Sequence, residues 1–364
     1  DKGDTNSMNN YAAMLENGEE IDENKEEACR YFKMSAEKGD AMGMNSYALY
    51  LFNGDIVPEN KEEAINYLKK SADLGCVDAM HNYAGMLEHG IGTDINKSEA
   101  AIYYKMSADQ GRLDSMHNYA RMLSHGDGIE VDKEEAARYY KMAVDQGYVN
   151  SMHNYALMLS NGDGIPVDKE AAARYFKMAA DEGNVLSMNN YAVMLDNGDG
   201  IEQNKEEAAS YYKMAADQGY ETAMHNYAFL LINGEGVEQN KEEAASYYKM
   251  AADKGYIQSM NNYAVLLQNG DGVDQNKEEA ARYYKMAADQ GYMLSMNNYA
   301  FMLSNGDGID VDKKEAARYY KIEADNGNVE SMQNYALMLK NGDGIDADQE
   351  EAERYLNMAK EYEW

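Results

Sequence analysis

Six histidines are the residues of this 364-residue chain best equipped for chemistry. His81, His117, His153 and His225 follow one another at 36 residues or twice that, and His89 and His125 are again 36 apart. An imidazole can ligate a metal or carry a proton near neutral pH. The interval argues against a metal. Residues repeated once per structural unit stand about 10 Å apart, one helix-packing layer, whereas zinc ligands lie about 2 Å from the ion. Loops such as Asn161-Gly162-Asp163-Gly164-Ile165 look like the start of a calcium loop. They supply no consistent bidentate Glu at the required place and are too short before the next helix. Of the 27 Met, 25 fall in three repeated columns, so a copper-binding cluster is not needed to explain them. A catalytic site requires a locally unique constellation, and here Ser, His and Asp vary only within repeated columns. No catalytic residue, metal or cofactor is expected.

These columns belong to a strict repeat. Gly3, Gly39, Gly75, Gly111, Gly147, Gly183, Gly219, Gly255, Gly291 and Gly327 are each 36 residues apart. Met8 to Met332, Tyr11 to Tyr335 and Tyr31 to Tyr355 recur with the same period in all ten repeats. Within one repeat, Ser151, Met152, Tyr155, Ala156, Met158 and Leu159 have helical spacing. The Gly-rich loop after Asn161 ends that helix, because glycine tolerates the left-handed C-terminal conformation. Asp168 opens a second helix, and every repeat has Asn or Asp there, from Asn24 to Asp348. Asp132 with Glu135 fits a capping box. The second helix is expected to bury Ala172, Tyr175, Phe176, Ala179 and Ala180, and the repeated Met columns are read as core. Helices of about 12–14 residues are marginal alone in water, so they must persist by packing on neighbouring repeats. The pattern therefore predicts an all-α chain of helix-turn-helix repeats, with residues 1–364 as one continuous repeat domain.

The net charge of −32 repels nucleic acid and anionic lipid and favours basic partners, besides keeping an acidic surface solvated. Cys29 and Cys76 form no disulfide framework, and Cys29 occupies a column otherwise mostly Ala. No run approaches the ~20 apolar residues of a membrane span, so direct membrane insertion is not expected. No signal peptide is read at the start of the sequence, which favours a cytoplasmic location and leaves the ER lumen or secretion open. Asn96-Lys97-Ser98 is the single glycosylation sequon, but Asn96 also reads as a helix N-cap.

The repeat resembles the Sel-one-like (SLR) subclass of tetratricopeptide repeats. The resemblance is carried by Tyr191-Ala192, Leu195, Gly198-Asp199-Gly200-Ile201, Asn204, Ala208, Tyr211-Tyr212, Ala215-Ala216 and Gly219, and by their counterparts along the chain. The family's Leu-Gly pair is Tyr-Ala here and its Tyr is Leu195, as if large and small partners were exchanged across one layer. The resemblance implies a right-handed α-solenoid superhelix serving as an adaptor or scaffold. The disulfide-bridged bacterial branch of the family is excluded by the cysteine count.

The same resemblance implies that the first helix of each repeat lines a concave groove. Two columns on that face could hold a peptide. One is an Asn column: Asn118, Asn154, Asn190, Asn226, Asn262, Asn298 and Asn334. Each Asn offers both a donor and an acceptor to an extended backbone, or ties helices together within the scaffold. The other is a variable, mostly apolar column that includes Leu157, Val193, Phe229, Val265, Phe301 and Leu337. Apolar residues are hard to explain on a solvated face.

Asp1-Lys2-Gly3 matches the tail of a second helix, as in Asp253-Lys254-Gly255, so the sequence reads as the C-terminal portion of a longer protein. Residues 349–364 read as a capping helix, because Glu353 and Lys360 replace the small apolar residues of the other repeats. The expected function is a scaffold that binds a protein or peptide, without catalysis. Two alternatives stand beside it: the targeting array of a kinase or ligase complex whose catalytic part precedes residue 1, or a structural element that self-associates into a filament.

Overall fold

The structure, a computed structural model, describes residues 4–18 and 21–362. The stretch Asp1–Gly3, read above as the tail of a preceding helix, and the last two residues of the capping segment lie outside the described residues. Among the described residues there are twenty helices and no strand, from α1 (Thr5–Asn17) to α20 (Gln349–Tyr362). The chain forms two compact units, Asp1–Glu182 and Gly183–Trp364. Within each unit every helix packs on the next in chain order, which is how a solenoid buries helices too short to stand alone.

The helix ends follow from the loop chemistry. Gly162 adopts φ +77° and closes the first helix of its repeat, and its counterparts do the same. Gly164 has φ +73° and lies against the preceding repeat, where a Cβ would come within 2.3 Å of the Lys133 carbonyl carbon. Glycine is thus required there by close approach rather than by a metal. The Asn or Asp at the start of each second helix caps it as expected, as when Asp132 Oδ1 accepts from the Glu135 amide at 2.9 Å. The capping box is only half made, however. The Asp132 amide donates to the Leu123 carbonyl (3.0 Å), and the Glu135 carboxylate turns to Arg138 (2.5 and 2.6 Å). The partner that the reciprocal bond would need is already occupied by the first helix.

The core is Ala, Leu, Met and Tyr. The Met8–Met332 column is buried throughout, and Tyr119 meets Tyr139 edge-on with ring centroids 4.9 Å apart. Such pairs contribute roughly 0.5–1.5 kcal/mol beyond burial. Tyrosine hydroxyls also stitch successive repeats: Tyr103 donates to Asp73 (2.6 Å), Tyr247 to Asp217 (2.7 Å) and Tyr319 to Asp289 (2.8 Å). One expected core column is not core. Met34, Met106, Met178, Met214, Met250 and Met286, on the second helices, are exposed. The buried stripe of those helices is filled by Ala and Tyr, which leaves the Met row on the outer side.

Glu323 departs from the pattern in the other direction. It lies in α18 (Lys313–Asp325) where other repeats carry Ala or Ser, and it is fully buried against α19 (Val329–Asn341). The Ser331 hydroxyl donates to its Oε2 at 2.7 Å, while Oε1 has no hydrogen-bond partner. Burial, helped by nearby Glu330, pushes its pKa up to about 7.

Candidate functional site

The first helices present one row of partly exposed residues in each unit. In the second unit that row contains Val193, Phe229, Val265, Phe301 and Leu337. Phe229 is 50%, Phe301 51% and Leu337 56% exposed, while Val193 and Val265 are half-buried. In the first unit the same row carries Leu49, exposed, and Leu157, half-buried. The apolar column thus lies on the first helices with its side chains exposed or half-buried.

The Asn column lies beside it, half-buried at Asn118, Asn154, Asn190, Asn226, Asn262, Asn298 and Asn334. Much of its hydrogen-bonding capacity is spent inside the scaffold. Asn226 Nδ2 donates to Asn189 Oδ1 (3.3 Å) and Asn298 Nδ2 to Asn261 Oδ1 (3.5 Å), each reaching the preceding repeat. Asn154, whose preceding repeat holds His117 instead of Asn, donates to the Tyr140 hydroxyl at 3.2 Å. Asn118 and Asn262 are likewise hydrogen-bonded to Tyr104 and Tyr248. Asn190 and Asn262 accept from Asn189 and Asn261 at 3.4 and 3.2 Å. The column ties helices together, and what it offers a ligand is what these bonds leave open.

The histidines are structural in the same way. His81, His117 and His225 are hydrogen-bonded through Nδ1 to Ser115 (2.8 Å), Ser151 (3.1 Å) and Ser259 (2.9 Å). Their rings stack edge-on or tilted against Tyr104, Tyr140 and Tyr248. Burial lowers the pKa of His117 and His225 to about 4, which keeps them neutral at pH 7. Among the described residues no three His, Cys, Asp or Glu side chains come together as a metal ligand set. The loop aspartates are held by lysines of the preceding repeat: Asp163 by Lys133 (2.6 Å) and Asp307 by Lys277 (2.7 Å).

Two features of this face were not legible as sites in the sequence. Glu88 is buried between the Tyr104 hydroxyl (3.1 Å) and the Arg121 guanidinium, which also meets Asp127 at 3.4 Å. Nearby, the row opens into a cavity around Gly85. The available signal was a departure from column type, Arg121 and Gly85 among apolar neighbours.

A two-helix unit repeated ten times, with apolar and amide side chains along its first helices, defines an α-solenoid. The Sel1 repeat model matches residues 5–40, 41–76, 77–111, 113–148, 149–184, 185–220, 222–256, 257–292, 294–328 and 329–361, so this chain belongs to the Sel1 repeat family. Members of this family are generally non-catalytic protein-interaction scaffolds. In fold the chain is similar to a protective antigen of uropathogenic Escherichia coli with an SLR fold, at 24% identity and TM-score 0.88, covering 98% of this chain and 77% of that one. It is also similar to a Sel1 repeat protein from Oxalobacter formigenes, at 25% identity and TM-score 0.58, covering 67% of this chain and 96% of that one. No curated protein matches it closely in sequence. No described helix is long and apolar enough to cross a membrane.

Proposed function

We propose that the chain is a scaffold that holds an extended, basic segment of a partner protein along its first-helix face. The observation that carries this reading is the row of Phe229, Phe301 and Leu337 at half exposure or more, in register from repeat to repeat and separated by Val265. Large apolar side chains aligned on one face favour a partner that covers them. The net charge of −32 favours Lys and Arg in that partner. The lone pairs that the Asn column leaves open would accept from the partner's backbone amides, and the apolar row would receive its side chains. Well-buried aromatic anchors of this kind supply roughly 2 kcal/mol or more each.

The test uses a displayed random peptide library selected on the intact chain. Selected peptides should combine Lys or Arg with large apolar residues and should lose most of their affinity for a Phe229→Ala, Phe301→Ala variant. Equal affinity for both proteins sinks the reading. So does a binding signal that salt abolishes but the variant leaves unchanged, because that is charge attraction alone.

A second reading has an observation of its own. The exposed Met214, Met250 and Met286 row marks the second helices as an alternative contact surface, through which copies of the chain could associate laterally. Either face could also serve as the targeting array of a larger enzyme.

A further inference from the structure

Gly85 is the one member of the apolar row with no side chain. It lies inside α5 (Val77–His89), where an interior glycine weakens a helix relative to alanine. Nothing in the chain requires it. A Cβ built there would meet the Tyr104 hydroxyl at 3.5 Å, an ordinary contact. A second reduction coincides with it. Leu68, in α4 (Lys61–Asp73), stands in the column where Phe32, Tyr104, Tyr140 and Phe176 carry rings. Together they leave a cavity of about 240 Å³ walled by Leu49, Phe52, Leu68, His81 and Met86.

We propose that this cavity is an anchor pocket for one aromatic side chain of a partner segment that carries Lys or Arg beside it. The proposal rests on the reading of the first-helix face as the binding face. A dry cavity of about 150 Å³ already holds benzene, so the space here admits a phenyl or indole ring. Phe52 and His81 offer it ring faces and edges. The walls themselves carry no carboxylate, and it is the net charge of −32 that favours a basic neighbour. Glu16 occupies the same column as Phe52 one repeat before it, whereas Glu88, one repeat after it, is buried and paired with Arg121. Glu16 accepts from the neutral Tyr50 hydroxyl at 2.8 Å, which leaves its negative charge on this face. An anionic segment would meet repulsion there.

Met86 reports on the pocket directly. The intact chain, labelled with 13C at its methionine methyls, is titrated with the end-capped peptide Lys-Trp-Lys and separately with Lys-Ala-Lys. The Met86 methyl should shift saturably with Lys-Trp-Lys, and at least ten times more weakly with Lys-Ala-Lys. Gly85→Leu restores the side chain that Leu49 and Leu157 have in this column, so it should fold and melt no lower than the parent while losing the Met86 response at least tenfold. If Gly85→Leu fails to fold, Gly85→Ala takes its place and the comparison of the two peptides still decides. A silent Met86, or equal shifts with both peptides, overturns the proposal. Phe229→Ala, Phe301→Ala should leave the Met86 response intact. Failure here while library peptides still depend on Phe229 and Phe301 rejects the pocket alone; loss of both rejects the face.

Discussion

Replacing Glu323 with Gln tests the packing of α18 on α19 through its pH dependence. Glu323 is fully buried and has one oxygen without a partner, so its charged form is penalised and its pKa rises from 4.5 to about 7. The folded protein therefore holds this proton where the unfolded chain has already released it. The associated stability is fully present below pH 4.5 and is lost as pH rises through about 7. At about 1.4 kcal/mol per pH unit the loss amounts to about 3 kcal/mol. Glu323→Gln keeps an acceptor for Ser331 and cannot ionise, so it imitates the protonated form. Urea unfolding between pH 4.5 and 8, with hydrogen exchange of α18 and α19 amides as the local probe, should give matching stability at the acid end. The variant should be the more stable by about 3 kcal/mol at the alkaline end. Contributions shared by both proteins, the histidines included, cancel in the difference. Parallel pH profiles would refute the reasoning and mean that Glu323 is solvated.

Three further outcomes follow from the same structure. His117 and His225 have folded pKa values near 4 against 6.5 unfolded, so they weaken the fold as pH falls from about 6.5 toward 4, and their imidazole NMR shifts should titrate near 4. Tyr191, buried against Tyr211 with centroids 4.9 Å apart, should cost about 3–5 kcal/mol when replaced by Ala, read as urea unfolding of the second unit. Glu353 and Lys360 are exposed where Ala317 and Ala324 are buried, so changing both to Ala leaves an apolar helix face that should make the protein self-associate in light scattering.

The fold was legible because its signals are local and repeated. The Gly162 type of helix stop, the Asn or Asp caps and the buried Met8–Met332 column depend on one repeat alone. What escaped depends on how columns meet across repeats. The Met34–Met286 row is apolar and helical in spacing, and nothing in its period says that Ala and Tyr already fill the inward stripe. The Asn column was rightly placed on the first helices, but its bonds to Asn189, Asn261 or Tyr140 depend on what the preceding repeat carries. The pocket required knowing that the Gly85 and Leu68 columns face the same space. Glu323 is a lone acid in a column of Ala and Ser, but its burial with one oxygen unpartnered is a fact of packing.

The most direct measurement places a photo-crosslinking amino acid at Phe301 on the first-helix row or at Met250 on the outer Met row, and exposes each protein to its native extract. Mapping the captured segment by mass spectrometry should give a partner joined at Phe301, through a stretch rich in Lys or Arg and large apolar residues, with little captured at Met250. Capture at Met250 with none at Phe301 would contradict the account and move recognition to the second helices.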